Sequence, residues 1–137
     1  MTTLAFYRRV IDESGEESRE AAKRGTAAVL HALRDRLTPE EARQAAAQLP
    51  RELKAVWSQG EAPSRKPTKM RRSGFYERVR REAGLASTRQ ARILTIAVFT
   101  ALKEQLSPGE TEDVEAQLPG DLKEVWEEAM IPRRCAL

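Results

Sequence analysis

Between Pro63 and Phe75 the chain places Arg65, Lys66, Lys69, Arg71 and Arg72, five cations within eight residues. A lysine ammonium offers a point charge and an arginine guanidinium a two-pronged donor, and both suit phosphate or carboxylate oxygens. Arg78 and Arg81 follow on the next helical stretch and extend the patch. These seven residues are the candidate binding site for an anion or an acidic partner. Pro63 and Pro67 favour an extended segment, and extended cations can track a phosphate backbone. No aromatic residue alternates with them to stack unpaired bases, so nucleic acid ranks behind a protein partner. A second destination lies within the chain. Residues 107–128 carry eight acidic residues against Lys123 alone, and the basic segment can lie on that face or on another copy's.

Catalytic chemistry finds less to work with. Nucleophilic catalysis needs a base beside its nucleophile. The one histidine, His31, stands mid-helix, and the one cysteine, Cys135, lies three residues from the end. Neither has a partner in the local sequence. Asp12/Glu13 and Glu112/Asp113 are adjacent on helices and point in different directions, which suits solvated faces. Cysteine and histidine never cluster at metal-ligand spacing, and no glycine-rich phosphate loop occurs. The expectation is a non-enzymatic protein without a metal or cofactor. Trp57 and Trp126 close amphipathic helices and are expected to cover the edge of the core rather than line a ligand site.

The bulk of the chain fits this picture. Its 137 residues are 33% charged and 5% aromatic, with Ala, Leu, Glu and Arg prominent, a composition of good helix formers. The net charge is only +3, too mild for an obligate nucleic-acid binder. A lone thiol gives no internal disulfide, and no apolar run is long enough to span a bilayer or to serve as a secretory leader. Cysteine stands third from the end rather than fourth, outside the prenylation pattern. A cytoplasmic location is expected.

The elements that must carry these residues are written twice. "AAAQLPRELKAVW" at 45–57 returns as "VEAQLPGDLKEVW" at 114–126, and a shift of 69 residues aligns the halves without a gap. From 6/75 to 57/126, 24 of 52 pairs are identical, which marks an internal duplication. Each copy reads as four helices. The first starts near Phe6 or Phe75 and stops at Gly15 or Gly84. The second is capped by Ser18 or Ser87 and runs to Leu37 or Leu106. The third opens with "TPEE" or "SPGE", a hydroxyl cap with proline at the first helical position and a glutamate placed to reach back. The fourth starts at Pro50 or Pro119. The segment "ILTIAVFTAL" (93–102) is apolar around its circumference and is expected at the centre of the bundle, covered on all sides.

The expected fold is therefore all-α: a bundle of about eight helices built from two tandem four-helix repeats. Residues 1–58 form the first repeat, 59–74 a basic proline-containing linker, 75–131 the second repeat and 132–137 a tail. Both repeats pack as one compact domain.

"FYRRV", the Ser-capped helix ending "VLHALRDRLTPEEA" and "AAQLPRELKAVW" together resemble a bacterial and archaeal family, domain of unknown function 2267. The resemblance runs from about Phe6 to Trp126 and includes the basic linker "PSRKPTKMRRSGF". It implies a duplicated helical bundle and transfers no activity, cofactor or catalytic residue. The functional expectation is a non-catalytic binding or scaffold protein acting through charged surface patches, with a protein partner or self-association. The alternatives are nucleic-acid association through the linker and small-ligand binding between the repeats.

Overall fold

Hydroxyl side chains set where most of the helices begin. In a computed structural model describing residues 2–129, Thr2, Ser18, Thr38, Ser87 and Ser107 each accept a hydrogen bond from the amide three residues on, at 3.0–3.2 Å. Each bond satisfies one of the four amides that a helix start leaves without a partner. The helices are α1 (Thr3–Ser14), α2 (Arg19–Arg36), α3 (Pro39–Ala46), α4 (Arg51–Ser58), α5 (Arg72–Ala83), α6 (Thr88–Gln105), α7 (Pro108–Ala116) and α8 (Gly120–Glu128). No strand occurs among the described residues. α1 and α5 both stop on a left-handed glycine, Gly15 at φ 76° and Gly84 at φ 68°, a conformation that side chains with a Cβ resist. Cys135 and the tail at 132–137 lie outside the described residues.

Thr3 and Arg72, Arg19 and Thr88, Pro39 and Pro108, and Arg51 and Gly120 open corresponding helices, a constant spacing of 69 residues. The first helix of each half begins three residues before the expected phenylalanine, and a carboxylate from the fourth helix meets each start. The Thr3 hydroxyl donates to Glu52 Oε2 at 2.8 Å, and the Arg72 amide donates to Asp121 Oδ2 at 3.1 Å. Negative charge at a helix N-terminus is favourable, which draws the first turn back into the preceding segment. The helix-free link is consequently 59–71 rather than 59–74.

The halves interlock. α1 packs chiefly on α6 and α5 chiefly on α2, while α2 and α6 cross each other, α3 meets α7, α4 lies on α2 and α8 on α6. The polar contacts across the divide come in matching sets. Arg9 of α1 reaches Glu104 of α6 at 2.5 Å and also Glu13, and Arg78 of α5 reaches Asp35 of α2 at 2.8 Å and also Glu82. The Thr38 amide donates to Gln117 Oε1 at 2.9 Å, and the Ser107 amide to Gln48 Oε1 at 2.7 Å. This corrects the local capping box expected for "TPEE" and "SPGE". The glutamine of the other half's "QLP" takes the cap amide, and the glutamates at the third helical position, Glu41 and Glu110, turn elsewhere.

Packing explains the crossing. A Cβ on Gly25 of α2 would lie 2.3 Å from Leu94 Cδ2 of α6, so the absent side chain is what admits the leucine. Phe75, Phe99 and Trp126 stack edge to face in one run, with centroids 5.8 and 4.9 Å apart. Trp57 and Trp126 are 2% and 0% exposed, both within the core. α6 is not covered on every side as its sequence suggested. Ile93 is 38% exposed and faces an open cleft. α2 and α6 instead share the centre, each burying a comparable face.

Candidate functional site

The basic linker is built against the C-terminal end of α2. The last turn of a helix leaves carbonyls without partners, and here Arg65 supplies them. Its Nη1 donates to Leu37 O, its Nη2 to Arg34 O, and its Nε to Glu61 Oε2, each at 2.7 Å. The residue before it, Ser64, has φ 55°, a left-handed turn that swings the arginine inward. Three residues on, the Thr68 amide donates to Asp35 O at 2.7 Å, and Met70 packs against the core. The linker is therefore strapped down at 65, 68 and 70.

A charged knot sits beneath the strap. Asp35 accepts from Arg34 Nε and from Arg78 Nη2 at 2.8 Å, with Arg65 Nε at 3.8 Å. Burial pushes the Asp35 carboxyl up, but hydrogen bonds from Arg34 and Arg78 outweigh it and hold the group below the usual aspartate range. Arg34, 3% exposed, also donates to Trp57 O and Gln59 O at 2.7 and 2.6 Å. Lys103, at the matching position in α6, donates likewise to Trp126 O and Ala129 O. Each half thus uses a cation of its second helix to close the end of its fourth. His31 joins the same seam, with Nε2 at 2.6 Å from Val56 O.

The seven sequence-derived residues separate into two groups. Arg65 and Arg78 converge on Asp35 and hold the linker and α5 to α2. Arg72 is half-exposed and lies 3.7 Å from Glu124 of the acidic α8. Lys66, Lys69, Arg71 and Arg81 are exposed and make no ion pair among the described residues. Lys66 and Lys69 alternate with the anchors, so strapping the backbone fixes where their side chains leave the surface. Arg34 and Asp35 escaped sequence reasoning. Their trace was there: charge sign is kept at 9/78, 13/82, 34/103 and 35/104 when the halves are aligned.

A second concavity lies between the halves. The turns after α1 and α5 and the starts of α2 and α6 enclose an open cleft of about 710 Å3, lined by Gly15, Ser18, Gly84, Ala86, Gln90 and Ile93 among others.

A family model described as Uncharacterized conserved protein (DUF2267) matches residues 3–125, from the first residue of α1 into α8. The chain belongs to the DUF2267 family. The match spans the strapped linker. No curated protein matches the chain. No helix among the described residues of this DUF2267 protein is long and apolar enough to cross a membrane.

Proposed function

We propose that this DUF2267 protein is a non-catalytic binding or scaffold protein of the cytoplasm that docks an acidic protein surface on Lys66, Lys69, Arg71 and Arg81. One observation carries the reading: the linker is fixed at Arg65, Thr68 and Met70 while the cations between and beside those anchors stay exposed. Cations on a fixed backbone lose less freedom on binding than cations on a free tether, so a given contact contributes more to affinity. Charge complementarity of this kind also speeds encounter and sharpens partner choice.

The test is fluorescence anisotropy of a labelled glutamate-rich peptide, a labelled DNA duplex and a single-stranded RNA, titrated at several salt concentrations. Wild type is compared with a variant carrying Lys66→Gln, Lys69→Gln, Arg71→Gln and Arg81→Gln. The reading expects peptide binding that weakens with salt and falls at least tenfold in the variant. Tighter duplex binding, with log K falling against log salt at a slope of roughly −3 to −4 for about four phosphate contacts, would move the partner class to nucleic acid. Binding of none of the three at about 100 mM salt contradicts the proposal, as does turnover of a metabolite that a point substitution abolishes.

The cleft supports a second reading, a small ligand held between the halves, because residues of both halves line it. Thermal stabilisation by a ligand, lost on Ile93→Glu, would support it.

A further inference from the structure

α3 and α7 meet at the end of the bundle away from the cleft, and there Glu41 and its counterpart Glu110 face each other. Both are only 7% exposed, and each keeps an Oε2 that is closed to solvent and receives no hydrogen bond. At the third position of a helix such glutamates ordinarily fold back on the cap amide. Here Gln117 and Gln48 have taken those amides, which leaves both carboxylates free to point together. Asp113, exposed, completes the group: one oxygen from each of the three lies within 4.8 Å of the others. No ion pair among the described residues reaches any of the three.

Buried carboxylates side by side are costly, and among the described residues no cation and no amide reaches these two. A hard divalent cation supplies what is missing. Calcium accepts carboxylate oxygens at about 2.3–2.6 Å in loose geometry, so oxygens on opposite sides of one ion stand about 4.6–5.2 Å apart. The three oxygens, all within 4.8 Å of one another, fall inside that reach. Magnesium, with its shorter bonds and strict octahedron, fits less well. Solvent reaches the site on the Asp113 side, which gives the ion an entry and leaves its remaining positions to water.

We propose that Glu41, Glu110 and Asp113 form a binding site for a hard divalent cation of about calcium's size, which clamps α3 to α7 and so joins the two halves of the chain at that end. The proposal stands independently of the acidic-partner reading, since it uses none of the linker cations. A proton shared between the two glutamates is the competing way to quiet the pair, and the experiment separates the two.

The full chain is stripped with EDTA, exchanged into chelator-free buffer at pH 7.5, and melted with CaCl2, MgCl2 or MnCl2 added alone. Calcium is expected to raise Tm on the order of 5–10 °C at a hundredfold excess over its Kd, and magnesium less. Manganese paramagnetic resonance should count one bound ion per chain. Asp113→Asn, an exposed change that leaves the buried pair in place, should weaken binding at least tenfold, and Glu41→Gln with Glu110→Gln should abolish it. Glu40→Gln, on the exposed neighbour, should change nothing. Wild type that neither shifts its Tm nor binds manganese overturns the site and leaves the shared proton. So does a shift that survives Asp113→Asn at full strength.

Discussion

Two partly buried carboxylates, Asp35 and Glu41, act on stability with opposite sign. Asp35 is held below its ordinary 3.8 by Arg34 and Arg78 despite its burial, so its contribution is present above that value and is lost as pH falls below it. Glu41 is pushed up to about 8 by burial first and by Glu110 second. Its contribution is complete below the ordinary 4.5 and is lost as pH rises through about 8. In the presence of EDTA, stability should peak near pH 5 and decline on both sides. Urea unfolding across pH 3–9 checks the profile, and Glu41→Gln should flatten the upper limb, leaving the variant about 2 kcal/mol more stable than wild type at pH 8. A maximum near pH 8 in wild type would contradict the assignment. Asp35→Ala should cost about 3 kcal/mol, because it strands Arg34 and Arg78 partly buried without their partner. Glu124→Ala, which removes only an exposed contact to Arg72, should leave the urea midpoint where it is.

The helices were legible in the sequence because their signals are local. Ser18, Ser87, Thr38 and Ser107 act as caps where expected, and Gly15 and Gly84 end their helices. What escaped depends on the other half. A glutamate after "TP" reads as a capping-box residue until a glutamine 79 residues away occupies the cap amide first. Ile93 reads as core until its neighbours prove to be two short turns that leave a cleft. The recurring sequence pattern likewise does not say whether a first helix packs on its own half or the other one, since both arrangements bury the same stripe. Gly25 marks the choice that was made. A glycine inside a helix costs about 1 kcal/mol against alanine, yet here it admits Leu94, which is 1% exposed. Gly25→Ala should therefore destabilise by about 1–2 kcal/mol despite its better helix propensity. Placed in a Leu94→Ala background, the same change should turn stabilising by up to about 1 kcal/mol. Equal effects in both backgrounds, measured by urea unfolding, would show that the helices do not cross at Gly25.

At the scale of the whole molecule, the linker decides how the chain meets its surroundings. Five cations in eight residues, punctuated by Pro63 and Pro67, suggested an extended and poorly packed segment, or one lying on the acidic face of residues 107–128. The first residue of α5, just past the linker, does meet that face, through the Arg72 amide and Asp121 and through the Arg72 side chain and Glu124. Its middle is instead held to the end of α2, because the terminal carbonyls of Arg34 and Leu37 there match an arginine that Ser64 turns inward. Composition could not reveal this, since it reports charge and says nothing of which carbonyls lie within reach. The strap brings Arg65, Thr68 and Met70 down and leaves Lys66, Lys69 and Arg71 outward, and the acidic-partner reading depends on that division.

Residue-resolved amide hydrogen exchange of the linker tests the division most directly. The Thr68 amide, donating to Asp35 O at 2.7 Å, should exchange at least a hundredfold more slowly than the Lys66 and Lys69 amides beside it, for which no backbone partner is found. Asp35→Ala, by loosening Arg78 and Arg65, should erase most of that difference. Exchange at Thr68 as fast as at its neighbours would mean a free tether, and the fixed display of cations on which the proposed function rests would be gone.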